Sequence, residues 1–222
     1  MGSINGFAKP GDMIHTDIMR MHRLYIMEKR ALDIAISLPL VVILLPFLPL
    51  IALAVKLDSR GPVFHKRKVV GRGKRAFNAF KLRTMLDGID LLEYASEEER
   101  KELEDNHKLR SDRRVTRVGK VLRKTSIDEL PQLMNVLLGQ MSLVGPRMIS
   151  FEEIEKFGIY QDKILSVKPG ITGLWQVSGR NKLSYEDRVR LNVYYVDHRS
   201  IKLDLLILIK TIPAVVTGNG AY

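Results

Sequence analysis

The sequence predicts a mostly helical α/β chain with short strands. An N-terminal helix–break–helix re-enters the membrane leaflet it leaves, and a larger cytoplasmic domain with interfacial helices follows. Three observations predict it. Ile34 to Val55, "IAISLPLVVILLPFLPLIALAV", runs twenty-two residues without a charge, long enough to span a bilayer. Residues 58–86 alternate short extended pieces with turn residues. The rest carries apolar residues at helical spacing, divided by loops rich in Gly and Pro. The 222 residues hold one ordinary domain plus an appendage.

Residues 1–28 are mixed and basic, and read as a surface helix running towards the membrane. The charge-free stretch is too long for a secretory signal and lacks a small-residue cleavage site. Pro39, Pro46 and Pro49 interrupt it, and each removes a helix hydrogen bond. Arg20, Arg23, Lys29 and Arg30 stand before it; Lys56, Arg60, Lys66, Arg67 and Lys68 stand after it. Cations favour the cytoplasmic side, so both ends are expected there. A helix broken near Pro46 that enters and leaves one leaflet satisfies this. A tilted, kinked span whose second flank sets the topology is the alternative.

In "GPVFHKRKVVGRGKRAFNAFKLRTM" the glycines at 71 and 73 mark the tip of a basic hairpin. "GRGK" lacks the spacing of a phosphate-binding Walker loop. Residues 89–110 read as a charged, solvated helix with pairs such as Glu97 and Lys101, and "DGID" at 87–90 as a helix edge. "KPGITGLWQVSGRN", 168–181, is Gly-rich and reads as an ordered loop close to a ligand, with Trp175 as core the plainer alternative. Residues 182–200 read as a helix. Residues 203–216 are apolar but too short to span, so they fit a core or interfacial helix.

The chain has no cysteine, which excludes disulfides and thiolate zinc sites. Five histidines show no ligand spacing. A net charge of +11 predicts anionic partners: nucleic acid, anionic lipid or phosphorylated substrates. Aromatic residues make up only 7%, little material for base stacking.

Against this basic background, "TSIDELPQL" sets Asp128 and Glu129 side by side. One reading is a capping box from Ser126 to Glu129 opening a helix that continues through Leu130, Leu133, Met134 and Leu137 to Gly139. Pro131 then falls too deep in the helix, so a start nearer Asp128 fits better. The pair would lie at the helix mouth, where free N–H groups attract anions. Such a pair can also hold Mg²⁺ with substrate oxygens, or attack phosphorus as a nucleophile. Arg123 and Arg147 are candidates to grip phosphate with a planar fork.

The stretches "KRALDIAIS", "GPVFHKRKVVGRGKRAFNAFKLRTM", "SDRRVTRVGKVLRKTSIDELPQLMNVLLGQMSLVGPR", "KPGITGLWQVSGRN" and "GNGAY" occur in this order from residue 29 to 222. Together they resemble the monotopic phosphoglycosyl transferases, bacterial sugar transferases that initiate polysaccharides. The resemblance implies an enzyme of the cytoplasmic face of the bacterial inner membrane. Its domains would be a basic segment 1–28, a re-entrant hairpin 29–57 and a catalytic domain 58–222. It implies a UDP-sugar and polyprenyl (undecaprenyl) phosphate as partners, membrane lipid around them, Mg²⁺ as cofactor and no nucleic acid, with a homodimer left open. Sugar 1-phosphate would pass to the lipid through a covalent aspartyl intermediate, with release of UMP.

By the same resemblance Asp128 is the nucleophile. Glu129 is its acid partner, a Mg²⁺ ligand with Asp128 and a proton acceptor. Arg123, Arg147 and Lys81 hold phosphate, and Pro46 breaks the membrane helix. Gln176 and Arg180 lie in the nucleotide loop. Three positions depart from the family pattern: Asn192 and Gln140, where acids are common, and Met148, where proline is. The ending "GNGAY" resembles members that use galactose or glucose. The alternative expectation is a non-catalytic basic scaffold on the membrane surface.

Overall fold

The structure, a computed structural model, describes residues 10–86, 95–100, 109 and 112–217. Helix α1 spans Pro10–Leu44, a 3-10 turn covers Leu45–Phe47, and α2 spans Leu48–Asp58. The turn lies where the prolines fall. Pro46 and Pro49 cannot donate to carbonyls four residues back, and the backbone tightens so that Leu48 N–H reaches Leu45 C=O. Leu44, Phe47 and Leu48 all keep helical dihedrals. The stretch Arg23–Asp58 is long and apolar enough to enter or cross a membrane.

That stretch has two faces. Lys29, Arg30, Asp33, Ile36, Val41, Leu44, Ile51, Val55 and Asp58 turn towards the rest of the chain. Leu38, Val42, Ile43, Leu45, Phe47, Leu50, Leu53 and Leu57 turn away and are each more than half exposed. So long an exposed apolar face is not a water-facing surface, and the chain is membrane-associated. Ser37, fully buried on the inner face, has no hydrogen-bond partner for its hydroxyl.

Strands β1 (Phe64–Val70) and β2 (Ala76–Leu82) form an antiparallel hairpin in which His65 faces Lys81. The expected basic tip is present as a 3-10 turn at Arg72–Lys74, with Gly73 left-handed at φ 65°. Its Gly73 N–H docks on Leu165 C=O. The chain then enters α3 (Arg117–Lys124), capped by Thr116, whose hydroxyl accepts from Gly119 N–H. Gly119 is required there: a Cβ would lie 2.2 Å from the Thr84 carbonyl oxygen.

Helix α4 (Gln132–Leu137) leads to β3 (Ser142–Val144), which pairs in parallel with β4 (Gly170–Thr172). Between them lie a 3-10 segment, Ile154–Tyr160, and α5, Gln161–Ile164. After β4 come α6 (Leu174–Ser178), a 3-10 turn at Arg180–Lys182, α7 (Tyr185–His198) and α8 (Ile201–Thr217). The main core joins Val69, Ala79, Leu133, Val136, Met141, Val144, Tyr195 and Ile207, so the hairpin, α4, β3, α7 and α8 share one interior.

Two expectations need correction. Residues 168–181 are not one irregular loop, since they hold β4 and α6. The glycines bracket these elements, and Gly170 lets the two parallel strands meet, where a Cβ would lie 2.1 Å from Gly145 N. Ser126 and Glu129 form no capping box: Ser126 is left-handed, φ 58°, and its side chain makes no cap bond. A reciprocal box occurs instead between Ser96 and Glu99. Most of 89–110, the Glu97–Lys101 pair, "DGID" and "GNGAY" lie outside the described residues.

Candidate active site

Four segments bring charged groups to one place. The left-handed Ser126 turns the chain sharply at the end of α3, and Ile127–Glu129 forms a 3-10 turn before α4. A non-glycine residue with positive φ is sparsely populated, and such strain concentrates at functional sites. The turn drives Asp128 inward, to 3% exposure, while Glu129 stays half-buried. Pro131 takes the N-cap position of α4 with an ordinary φ of −58°, which resolves the conflict between the proline and a helix starting at Ser126.

Lys81, from β2, reaches Asp128 Oδ2 at 3.0 Å and Glu129 Oε1 at 3.3 Å. Arg147, from the loop after β3, donates to Glu129 Oε1 at 3.1 Å. That loop is held by Gly170 N–H, which donates to Pro146 C=O. Arg180, also left-handed at φ 54°, lies within the electrostatic reach of Glu129 and Arg147. Burial pushes its guanidinium below its ordinary value, and Glu129 opposes this.

Burial is also the main influence on Asp128 and raises its carboxyl above the ordinary carboxylate range. Lys81 opposes the shift, Glu129 adds to it, and Arg123 opposes it. Arg147 is shifted the other way: Glu129 beside it holds its guanidinium above the ordinary value. The acid pair is thus a desolvated carboxylate and a better-solvated one, both held by cations.

Lys81, Asp128, Glu129, Arg147 and Arg180 therefore gather. Arg123 acts on Asp128 through its field, without a described contact. Gln176 turns to its own segment, where its Nε2 donates to Ile171 C=O and its Oε1 is buried without a partner. Asn192 is buried on α7. Met148 packs in the main core. Gln140 accepts from Asn135 Nδ2 at 2.7 Å, a task that needs an oxygen but no charge.

Two supporting residues escaped the sequence reading. Asn135, fully buried on α4, accepts from Phe80 N–H and donates to Asn78 C=O, which fixes the strand carrying Lys81. Its signal was a polar residue on the apolar face of a helix, beside Leu133 and Val136. Arg83, the residue just after that strand, is buried and donates to the carbonyls of Val55 and Ser59, the end of the apolar segment.

Among the described residues no group of three or more His, Asp or Glu is placed to hold a metal ion. Two carboxylates nevertheless suit Mg²⁺, which takes one or two plus substrate oxygens. The Lys81 ammonium reaches an oxygen of each, so one cation spans the pair.

The chain is similar in sequence to known proteins. Residues 24–218 match the family described as bacterial sugar transferase. The exopolysaccharide production protein ExoY of Sinorhizobium fredii is 40% identical over 199 residues, 88% of each chain. The UDP-galactose-lipid carrier transferase of Erwinia amylovora is 43% identical over 199 residues, 87% of this chain and 41% of that one. The undecaprenyl-phosphate galactose phosphotransferase of Salmonella typhimurium is 41% identical over 198 residues, 87% of this chain and 41% of that one. The chain thus spans about two fifths of the length of several curated relatives, and most of the Sinorhizobium one. With the match covering nearly its whole length, the chain belongs to the bacterial sugar transferase family.

Proposed function

We propose that the chain transfers a sugar 1-phosphate from a UDP-sugar to polyprenyl phosphate. It releases UMP and forms a polyprenyl diphosphate sugar, the first membrane step of polysaccharide synthesis. One observation carries this reading: a buried carboxylate and its neighbour, ringed by cations from three other segments, on a membrane-associated chain. The names of the relatives, which couple galactose with a lipid carrier or with undecaprenyl phosphate, support the substrate classes.

The Asp128 carboxylate attacks the sugar-bearing phosphorus. The new O–P bond forms as the bond to the UMP oxygen breaks, and UMP leaves. A phosphate oxygen of the polyprenyl acceptor then attacks the same phosphorus and frees Asp128. Desolvation raises the basicity of Asp128 and hence its nucleophilicity, and Lys81 opposes that rise by favouring the ionised form. Arg147 and Arg180 offer planar donors to the phosphates. Glu129 accepts the proton when the acceptor carries one. Asp128 and Glu129 would hold Mg²⁺, which supplies neutralisation of phosphate charge when bound.

The apolar segment 29–57 enters the membrane and returns to the face it left. Both of its ends bond to one body, at Asp33 with Ser142 and at Asp58 with Val118 N–H, and one body lies on one side of a membrane. Residues 58–222 form the catalytic part on the cytoplasmic face.

The test is incubation with UDP-galactose or UDP-glucose, with and without polyprenyl phosphate. UMP release dependent on the acceptor is expected. Release of UDP instead would identify a conventional glycosyl transferase and overturn the reading.

A further inference from the structure

A second cationic basin lies apart from the acid pair. It is a cavity of about 250 Å³ between the polar part of α1, the hairpin tip, the segment before β4 and the end of α7. Five cations line it: Lys29 and Arg30 of α1, Arg72 of the tip, Lys168, and Arg199. None of the residues gathered at the acid pair does. Two carboxylates belong to it, Asp33 in its wall and the buried Asp204 behind Lys29. Asp33 accepts from Ser142 Oγ and Leu143 N–H, and the buried Asp204 takes Lys29 at 2.7 Å and the Tyr195 hydroxyl at 2.7 Å.

Of the cations, Lys29 is neutralised by Asp204, and Arg30 donates to the last carbonyls of α4. Arg199 donates to Val196 C=O. Lys168 and Arg72 make no side-chain hydrogen bond or ion pair among the described residues. Burial pushes the Lys168 ammonium below its ordinary value. The nearby Arg30, Arg72 and Lys29 push the same way, against Asp33. The basin therefore carries excess positive charge in a partly desolvated place, where an anion would be held.

Its position indicates where that anion comes from. The basin is built on Tyr25 to Asp33 of α1, and the charge-free stretch begins at the next residue, Ile34. Ile26, one of its walls, is 40% exposed, and Leu205 and Leu206 follow Asp204 on α8, both exposed. The cations thus stand at the polar boundary of the apolar segment, the depth of lipid headgroups. Basic pockets beside membrane helices on the cytoplasmic side bind anionic headgroups by this arrangement.

We propose that this basin seats the phosphate headgroup of a net-anionic membrane lipid, a binding site separate from the transfer site. Lys168 and Arg72 supply the charge, and the lipid tails lie along the exposed apolar residues of α1 and α8. The proposal requires membrane association but not the proposed reaction, and its readout is binding alone.

The full chain in detergent micelles is titrated with phosphatidylglycerol, with phosphatidylcholine or with inorganic phosphate, and retained molecules are counted by native mass spectrometry. One phosphatidylglycerol is expected to be held in preference to phosphatidylcholine. The doubly neutral variant Arg72→Gln/Lys168→Gln should bind it about thirtyfold more weakly. The charge-keeping variant Arg72→Lys/Lys168→Arg should restore binding. In the unaltered protein, phosphatidylglycerol should protect Lys168 from an amine-acylating reagent. Equal binding by the neutral variant, equal retention of phosphatidylcholine, or unchanged Lys168 acylation would each overturn the proposal. Inorganic phosphate binding as tightly as the lipid would make the basin a free-anion site and overturn the lipid assignment.

Discussion

Asp128 is a residue whose environment opposes its own charge. Its carboxyl is raised in the folded chain, first by burial. A raised carboxyl is destabilising when ionised, above its folded value, and the penalty fades as pH falls through that value. Asp128→Asn should therefore keep or raise the melting temperature at neutral pH, and the gain should shrink as the medium is acidified. The same variant should lose turnover, and no phospho-sugar should be found on the protein by intact mass spectrometry after UDP-sugar alone. A stable variant that still forms the adduct would falsify Asp128 as nucleophile. Arg147→Lys keeps the charge but not the fork that meets Glu129 Oε1 at 3.1 Å. Its kcat/KM should fall by on the order of 1–3 kcal/mol of transition-state binding, measured with saturating lipid acceptor. At this scale the acid pair was legible, because two adjacent carboxylates in a basic run are a local signal. The contact of Lys81 with both was not, because a strand residue does not announce which turn it faces.

At the scale of elements, the hairpin and α4 are joined through one buried amide. Asn135 bonds Phe80 N–H at 3.0 Å, Asn78 C=O at 2.8 Å and Gln140 Oε1 at 2.7 Å. Asn135→Ala leaves the part-buried Phe80 N–H and Asn78 C=O without this partner, at about 1–3 kcal/mol of stability. Because Lys81 adjoins Phe80 on β2, turnover should drop as well. Chemical denaturation alongside the UMP assay checks both, and full stability would show that water takes the place of the amide. Turn and period signals located the hairpin tip, α7 and α8. They misread the Gly-rich segment as an ordered loop, because glycine there serves the close approach of two strands. At Ser126 the pattern Ser-x-x-Glu fits a cap and Pro131 argues against it; the left-handed turn that buries Asp128 leaves the serine side chain without a cap bond.

The whole molecule is closed by charges far apart in the chain. Lys29 near the start of the apolar segment meets Asp204 at the start of α8, with Tyr195 and Tyr25 completing the site. Breaking such a pair leaves a buried charge uncompensated, so Lys29→Met should cost about 3–5 kcal/mol, read as loss of folded protein in detergent on heating. Topology is tested without touching that pair. The chain has no native cysteine, so Met27→Cys and Arg60→Cys, both exposed positions flanking the apolar segment, are clean probes in sealed vesicles. Labelling of both from the same side is expected for the re-entrant segment, and labelling from opposite sides would establish a span.

The sequence by itself determined what is local. Absence of charge over twenty-two residues marks a membrane segment, prolines tighten its middle, and a paired Asp–Glu stands out in a basic run. Each rests on neighbours within a few positions, where backbone geometry alone decides. Only the tertiary structure brought positions 81, 128, 147 and 180 to one point. It alone showed Asn135 holding the strand, and Lys168 and Arg72 facing a basin lined by α1. Those meetings depend on how elements pack, and packing is chosen by the burial of apolar surface summed over the whole core, which no short stretch encodes.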